Sequence, residues 1–163
     1  MSHMKNKVDW CLKKAEKEIA EGKKHRGLIE VNPSKEKARG YIRKAEHYLE
    51  AALLLEQKFS DIGLSSIFYS MYHSMLAILV KFGFESRNQE CTFALIYSLI
   101  EDNKIDLKKE DVDRIALMSD ESVIGLREKY QYGVELSMNE EIYNDNFEFS
   151  KKILGKVKEL VER

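Results

Sequence analysis

Leu64-Ser65-Ser66-Ile67-Phe68-Tyr69-Ser70-Met71-Tyr72-His73-Ser74-Met75-Leu76-Ala77-Ile78-Leu79-Val80-Lys81-Phe82-Gly83 is apolar on nearly every side of a helix and carries no charge before Lys81. A helix with no face for water must lie at the centre of its fold, covered by others. About 20 apolar residues would also reach across a bilayer. Ser65, Ser66, Ser70, Ser74 and His73 argue against a span, because each would sit at bilayer depth without need. The stretch therefore reads as a buried core helix, and no membrane contact is expected.

Composition agrees with a helical fold around it. The chain of 163 residues suits one domain with a real core. Its 44% hydrophobic and 34% charged residues are the balance of a globular protein. One proline and eight glycines leave little to break helices. With 27 basic against 28 acidic residues, net charge −1, the molecule as a whole offers no field for nucleic acid, so any RNA contact must be local. Cys11 and Cys91 are too few for a disulfide framework and suggest a reducing cytoplasm, with one bridge between them as the open alternative. Residues 1–4, Met-Ser-His-Met, read as a vector scar, which leaves 5–163 as the domain.

Outward from the central stretch, amphipathic segments follow one another. Val8, Cys11, Leu12, Ala15 and Ile19 make one face of a first helix that Gly22 ends. Lys23-Lys24-His25-Arg26-Gly27 reads as a solvated basic turn. Asn32-Pro33 restarts the chain, with Asn as N-cap and Pro at the first helical position. Ala38, Tyr41, Ile42, Ala45, Leu49, Ala52 and Leu55 form the stripe of that second helix. Its other face carries Lys35, Lys37, Arg39, Arg43, Lys44 and His47, a modest basic strip laced with Glu36, Glu46 and Glu50 and read as surface.

Ser60-Asp61 breaks and caps before the central helix, where His73 is expected to be a hydrogen-bonded core residue or, alternatively, part of a pocket or dimer contact with Tyr69. After Gly83, Ser86-Arg87-Asn88-Gln89 has the form of a capping box that opens a helix with Phe93, Ile96, Leu99 and Ile100 inward. Lys108 to Met118, then Glu121 to Gly133, are shorter helical segments. Asn139 caps the last helix, with Ile142, Phe149, Ile153, Val157, Leu160 and Val161 on one side. The fold expected is all-α, a single-domain antiparallel bundle of about five to six helices.

Recognisable catalytic chemistry is absent from the sequence. No Cys-x-x-Cys, His-Glu-x-x-His or clustered Asp and His supports a metal site, and no glycine-rich phosphate loop implies a cofactor.

Three stretches together resemble the HEPN domains of compact archaeal and bacterial type: Phe68 to Gly83, Ser86 to Cys91, and Leu126-Arg127-Glu128-Lys129-Tyr130-Gln131-Tyr132-Gly133. The match covers roughly residue 34 to the C-terminus. The resemblance implies a helical bundle that forms a homodimer, and a partner of the small nucleotidyltransferase type in a toxin and antitoxin pair. Active members resemble one another in a metal-independent ribonuclease motif, an arginine, four to six residues, then histidine. Five to seven positions after Arg26, Arg39, Arg43, Arg87, Arg114 and Arg127 this chain has no histidine. Arg127 keeps the spacing to Tyr132, but a phenol with pKa about 10 is a poor proton carrier at neutral pH.

The resemblance thus implies a cytoplasmic binding module for a nucleotide, RNA or a protein, without catalytic residues. Its expected site is Arg127, Tyr130 and Tyr132 near a dimer cleft, with Arg87 as a further anion contact. An ion pair with a helix carboxylate is the alternative for Arg127. Two other readings stay open: a ribonuclease toxin using Tyr132 or His73, and a dimeric scaffold with no ligand.

Overall fold

The computed structural model describes residues 2–163, so Met1 of the proposed scar lies outside the described residues. Seven helices and one two-stranded sheet follow in the order α1 (His3–Ala20), β1 (Leu28–Glu30), α2 (Lys35–Leu55), α3 (Ser60–Lys81), β2 (Phe84–Ser86), α4 (Gln89–Glu101), α5 (Lys109–Ala116), α6 (Val123–Tyr132) and α7 (Glu140–Glu162). The fold is mainly all-α, as expected, with seven helices among the described residues rather than five to six and one short sheet.

α3 is the centre. Leu64, Ile67, Phe68, Met71, Met75, Ala77, Ile78 and Leu79 are all buried, and α2, α4, α6 and α7 pack around them. By length and composition α3 could cross a membrane; 61% of its most apolar 18-residue window is buried inside the protein, as in the core helix of a bundle. α2 and α3 form an antiparallel hairpin and make the most extensive contact in the fold. Polar groups on α3 are satisfied locally: Ser70 donates to the Ala45 carbonyl at 2.8 Å and Ser74 to the Ser70 carbonyl at 3.0 Å.

α1 closes one side. Its Cys11 is joined to Cys91 of α4 by a disulfide, so of the two states open to the cysteines the structure holds the bridge. Ser2 caps α1 by accepting from the Lys5 N–H, which brings His3 and Met4 into the helix. Ile19, expected inside, is 51% exposed, and Glu18 takes the inward position, where its carboxylate accepts from the backbone and side chain of Arg26. The turn that follows is not solvated throughout, because His25 is buried. Its Nδ1 accepts from the Gly27 N–H, and Nε2 faces Glu85 at 3.4 Å.

Several boundaries differ from the sequence reading by a residue or two. Ser34, not Asn32, caps α2 and accepts from the Lys37 N–H. α3 has no side-chain cap, because Phe59 holds its N-cap position, and Ser60, the first helical residue, accepts from the Met138 N–H at 2.8 Å. Asn88 caps α4. Ser86 belongs to β2, which pairs antiparallel with β1, and its hydroxyl donates to the Asn88 carbonyl. Asn139 caps α7 as read.

Candidate functional site

The polar chemistry of α3 gathers on the flank between α2 and α6. Tyr69 and His73 lie one helical turn apart there and project to the same side. Tyr48 of α2 meets both, with ring centroids 5.8 Å from Tyr69 and 5.1 Å from His73. Tyr41, two turns earlier on α2, lies 6.1 Å from His73. A row of rings thus runs along the α2–α3 seam, within the range where aromatic side chains attract one another.

Arg127 of α6 stands at the end of this row. It is 8% exposed, and its Nη1 donates to the Tyr69 hydroxyl at 3.1 Å. The guanidinium carbon lies 4.6 Å from the Phe68 ring centroid and 5.8 Å from that of Tyr69. Among the described residues Arg127 has no ion pair, and its Nε is buried without a partner. The carboxylate expected as one alternative for it is missing. A buried cation held by ring faces and one phenol is under-compensated, because removing a charge from water costs several kcal/mol unless it is paired.

His73 is half-buried at the middle of the row. Its Nδ1 lies 2.8 Å from the Tyr69 carbonyl, which can only accept, so Nδ1 carries the proton and Nε2 has a free lone pair. Burial pushes its pKa below the ordinary histidine value and nearby Lys44 adds to that, while the bond to the Tyr69 carbonyl acts the other way. At neutral pH the ring is a neutral acceptor.

The other residues singled out from sequence lie elsewhere. Tyr130 packs at the edge of the core with Lys129 over its ring, and Tyr132 is 76% exposed at the end of α6. Arg87 sits between β2 and α4, where its Nε is 3.2 Å from Glu85. Burial alone would raise the Glu85 pKa, but the His25 hydrogen bond and the charges of Arg87 and Lys37 outweigh it and hold the carboxyl below its usual value. Arg87 is therefore engaged in a local network rather than free beside Arg127. The structure brings together Arg127, Tyr69 and His73, and adds Tyr41 and Tyr48, which the sequence reading did not select. Tyr41 was legible only as a member of the α2 stripe.

Beyond His73, the seam opens on the α2 side into a groove of about 570 Å³ that Tyr41, Arg43 and Lys44 line with it. No group of three or more His, Cys, Asp or Glu side chains among the described residues could hold a metal ion. No protein-family model matches the chain, and the curated proteins give no match to it.

Proposed function

We propose that this chain is a HEPN-like protein that acts as a non-catalytic binding module, taking a nucleotide, RNA or an acidic protein surface at the α2–α3–α6 seam. The carrying observation is Arg127, nine-tenths buried with no carboxylate against it among the described residues, at the end of a row of rings tilted against one another. Rings that accept a base face and a guanidinium that lacks an anion are complementary to the two halves of a nucleotide. A protein partner of the small nucleotidyltransferase type would meet the same need with a carboxylate, and a homodimer would place two seams in one assembly. The test is binding of nucleoside triphosphates, short single-stranded RNA and a co-expressed nucleotidyltransferase from the same gene neighbourhood, to the natural chain and to Arg127→Ala. Loss of about tenfold or more in Arg127→Ala supports the reading. Unchanged binding, or none to any of the three, rejects it.

One observation favours a second reading, a metal-independent ribonuclease of atypical site. His73 presents an unprotonated Nε2 beside cationic side chains, the state a general base needs. That reading requires RNA cleavage in chelator that His73→Ala abolishes. Intact RNA at high protein concentration removes it and leaves the binding module standing.

A further inference from the structure

The groove on the α2 side of the seam is a site in its own right. Lys37, Arg43 and Lys44 line it, with His73 and Tyr41 forming its inner wall. One carboxylate, Glu36, lines it too, so cations outnumber anions there three to one. Lys37 shares its charge with Glu85 at 3.7 Å, whereas Arg43 and Lys44 make no ion pair among the described residues. The Lys44 ammonium stands 5.5 Å from the Tyr48 ring centroid. Ser34 and the first turns of α2 border the same space, so the positive end of that helix dipole adds to the field.

Gly40 gives the groove its floor. It lies inside α2, where glycine costs stability relative to alanine. Packing does not demand it: a Cβ built there would meet nothing closer than an Arg43 Nη2 at 3.8 Å. The missing side chain keeps open the space beneath the Arg43 guanidinium.

We propose that this groove is a phosphate seat, in which Arg43 and Lys44, with Lys37, hold a nucleotide phosphate over Gly40 while the nucleoside lies toward Tyr41 and His73. The inference rests on the binding-module reading for its ligand class but not on Arg127. The groove is shallow and open to solvent, with about 570 Å³ of space, so a ligand would lie along it rather than be enclosed. A planar guanidinium can take two phosphate oxygens at once, and an ammonium reinforces it as a point charge. The shared chemistry is a phosphate group, whether it belongs to a free nucleoside triphosphate or to single-stranded RNA.

The experiment is a titration of the full chain with inorganic pyrophosphate, ATP, adenosine and an octameric oligoadenylate, followed by the imidazole nitrogen resonances of His73 and by binding affinity. Pyrophosphate should bind, ATP should bind and move the His73 signals through its nucleoside, and adenosine, which lacks the phosphate, should bind at least about tenfold more weakly than ATP; a much tighter octamer assigns the phosphate to RNA, and a tighter ATP to the free nucleotide. Gly40→Met, which fills the floor with a good helix former, should raise Tm while weakening phosphate binding by about tenfold or more, an opposition that a structural role for Gly40 would not produce. Arg43→Ala with Lys44→Ala, both exposed, should cut affinity similarly with Tm nearly unchanged. The proposal is overturned if pyrophosphate, ATP and the octamer all leave His73 unmoved, or if both altered chains bind as the natural one does. Binding that Arg127→Ala abolishes while these variants leave it intact overturns the groove and keeps the binding module. Binding of a protein partner alone has the same meaning.

Discussion

Tyr143 runs from α7 across the core to donate its hydroxyl to the Ala52 carbonyl at 2.6 Å, and it passes through the gap that Gly63 leaves in α3. A Cβ on Gly63 would stand 2.2 Å from that hydroxyl oxygen and 3.0 Å from the ring carbon bearing it. Gly63→Ala must push the ring aside and break a buried hydrogen bond, so it should cost about 1–3 kcal/mol, read as a Tm fall of at least about 2 °C. An unchanged Tm would mean that Tyr143 has another seat. His73 gives a residue-scale test of pH. Its native pKa is depressed, by burial first, so as pH falls below about 6.5 the unfolded chain takes up a proton before the native one does. The stability this group confers is complete above that value and is lost as pH falls toward the lower folded pKa. Urea melts at pH 7.5 and 5.5 should show a larger loss for the natural chain than for His73→Gln, and equal losses would contradict the assignment. The hydrogen-bonded place of His73 was legible in sequence as that of a polar group on an apolar helix, and its ring is 2.8 Å from the Tyr69 carbonyl, but the roles of Gly63 and Arg127 were not. Gly63 owes its constraint to a ring on α7, and the orphaned state of Arg127 depends on which carboxylates fail to reach it.

At the scale of elements, α1 depends on two attachments. Gly27 lets β1 approach so closely that a Cβ there would be 2.3 Å from the Cys11 carbonyl oxygen, and the Cys11–Cys91 disulfide closes a loop across a separation of 80 residues. In the chain-entropy account such a loop stabilises by about 4 kcal/mol. Reduction, or the Cys11→Ser, Cys91→Ser pair, should lower Tm by about 8–16 °C, and Trp10 beside Cys11 offers a fluorescence reading of the same event. A Tm indifferent to reductant would show that α1 holds by packing alone. The stripes of α2 and α7 were legible because each buries one repeating face, although Ile142, expected inside, is 43% exposed at the start of α7, while α3 and α4 are apolar enough to bury residues on several sides. Caps were less so: Asn32 and Ser34, or Ser86 and Asn88, are rival caps two residues apart, and only the backbone decides between them. Ser34 and Asn88 are the ones in extended conformation, with side chains on the first-turn N–H groups. β1 and β2 leave no mark in the sequence because three residues show no alternation, and each finds its partner across the whole α2–α3 hairpin.

For the whole molecule, a net charge of −1 leaves no long-range attraction to direct assembly, so any dimer must be held by contact. Exposed apolar side chains gather at the turn between α2 and α3, where Leu53 is 59%, Leu54 86%, Phe59 44% and Ile62 53% exposed. These residues lie on the same hairpin that carries Tyr48 and Tyr69, so a homodimer joined there would bring two ring rows into one assembly. Burying such side chains gains about 1.5–3 kcal/mol each, enough for a few of them to decide an equilibrium between one chain and two. Leu54→Glu leaves the core untouched because that side chain is almost wholly in solvent, yet it would set a charge inside the contact. Sedimentation of the natural chain should give twice its 19.0 kDa mass, and Leu54→Glu should return the single-chain value with its circular dichroism unaltered. A natural chain that sediments alone at the highest soluble concentration rejects the homodimer. A dimer indifferent to Leu54→Glu moves the contact to another face and separates the assembly from the ring row.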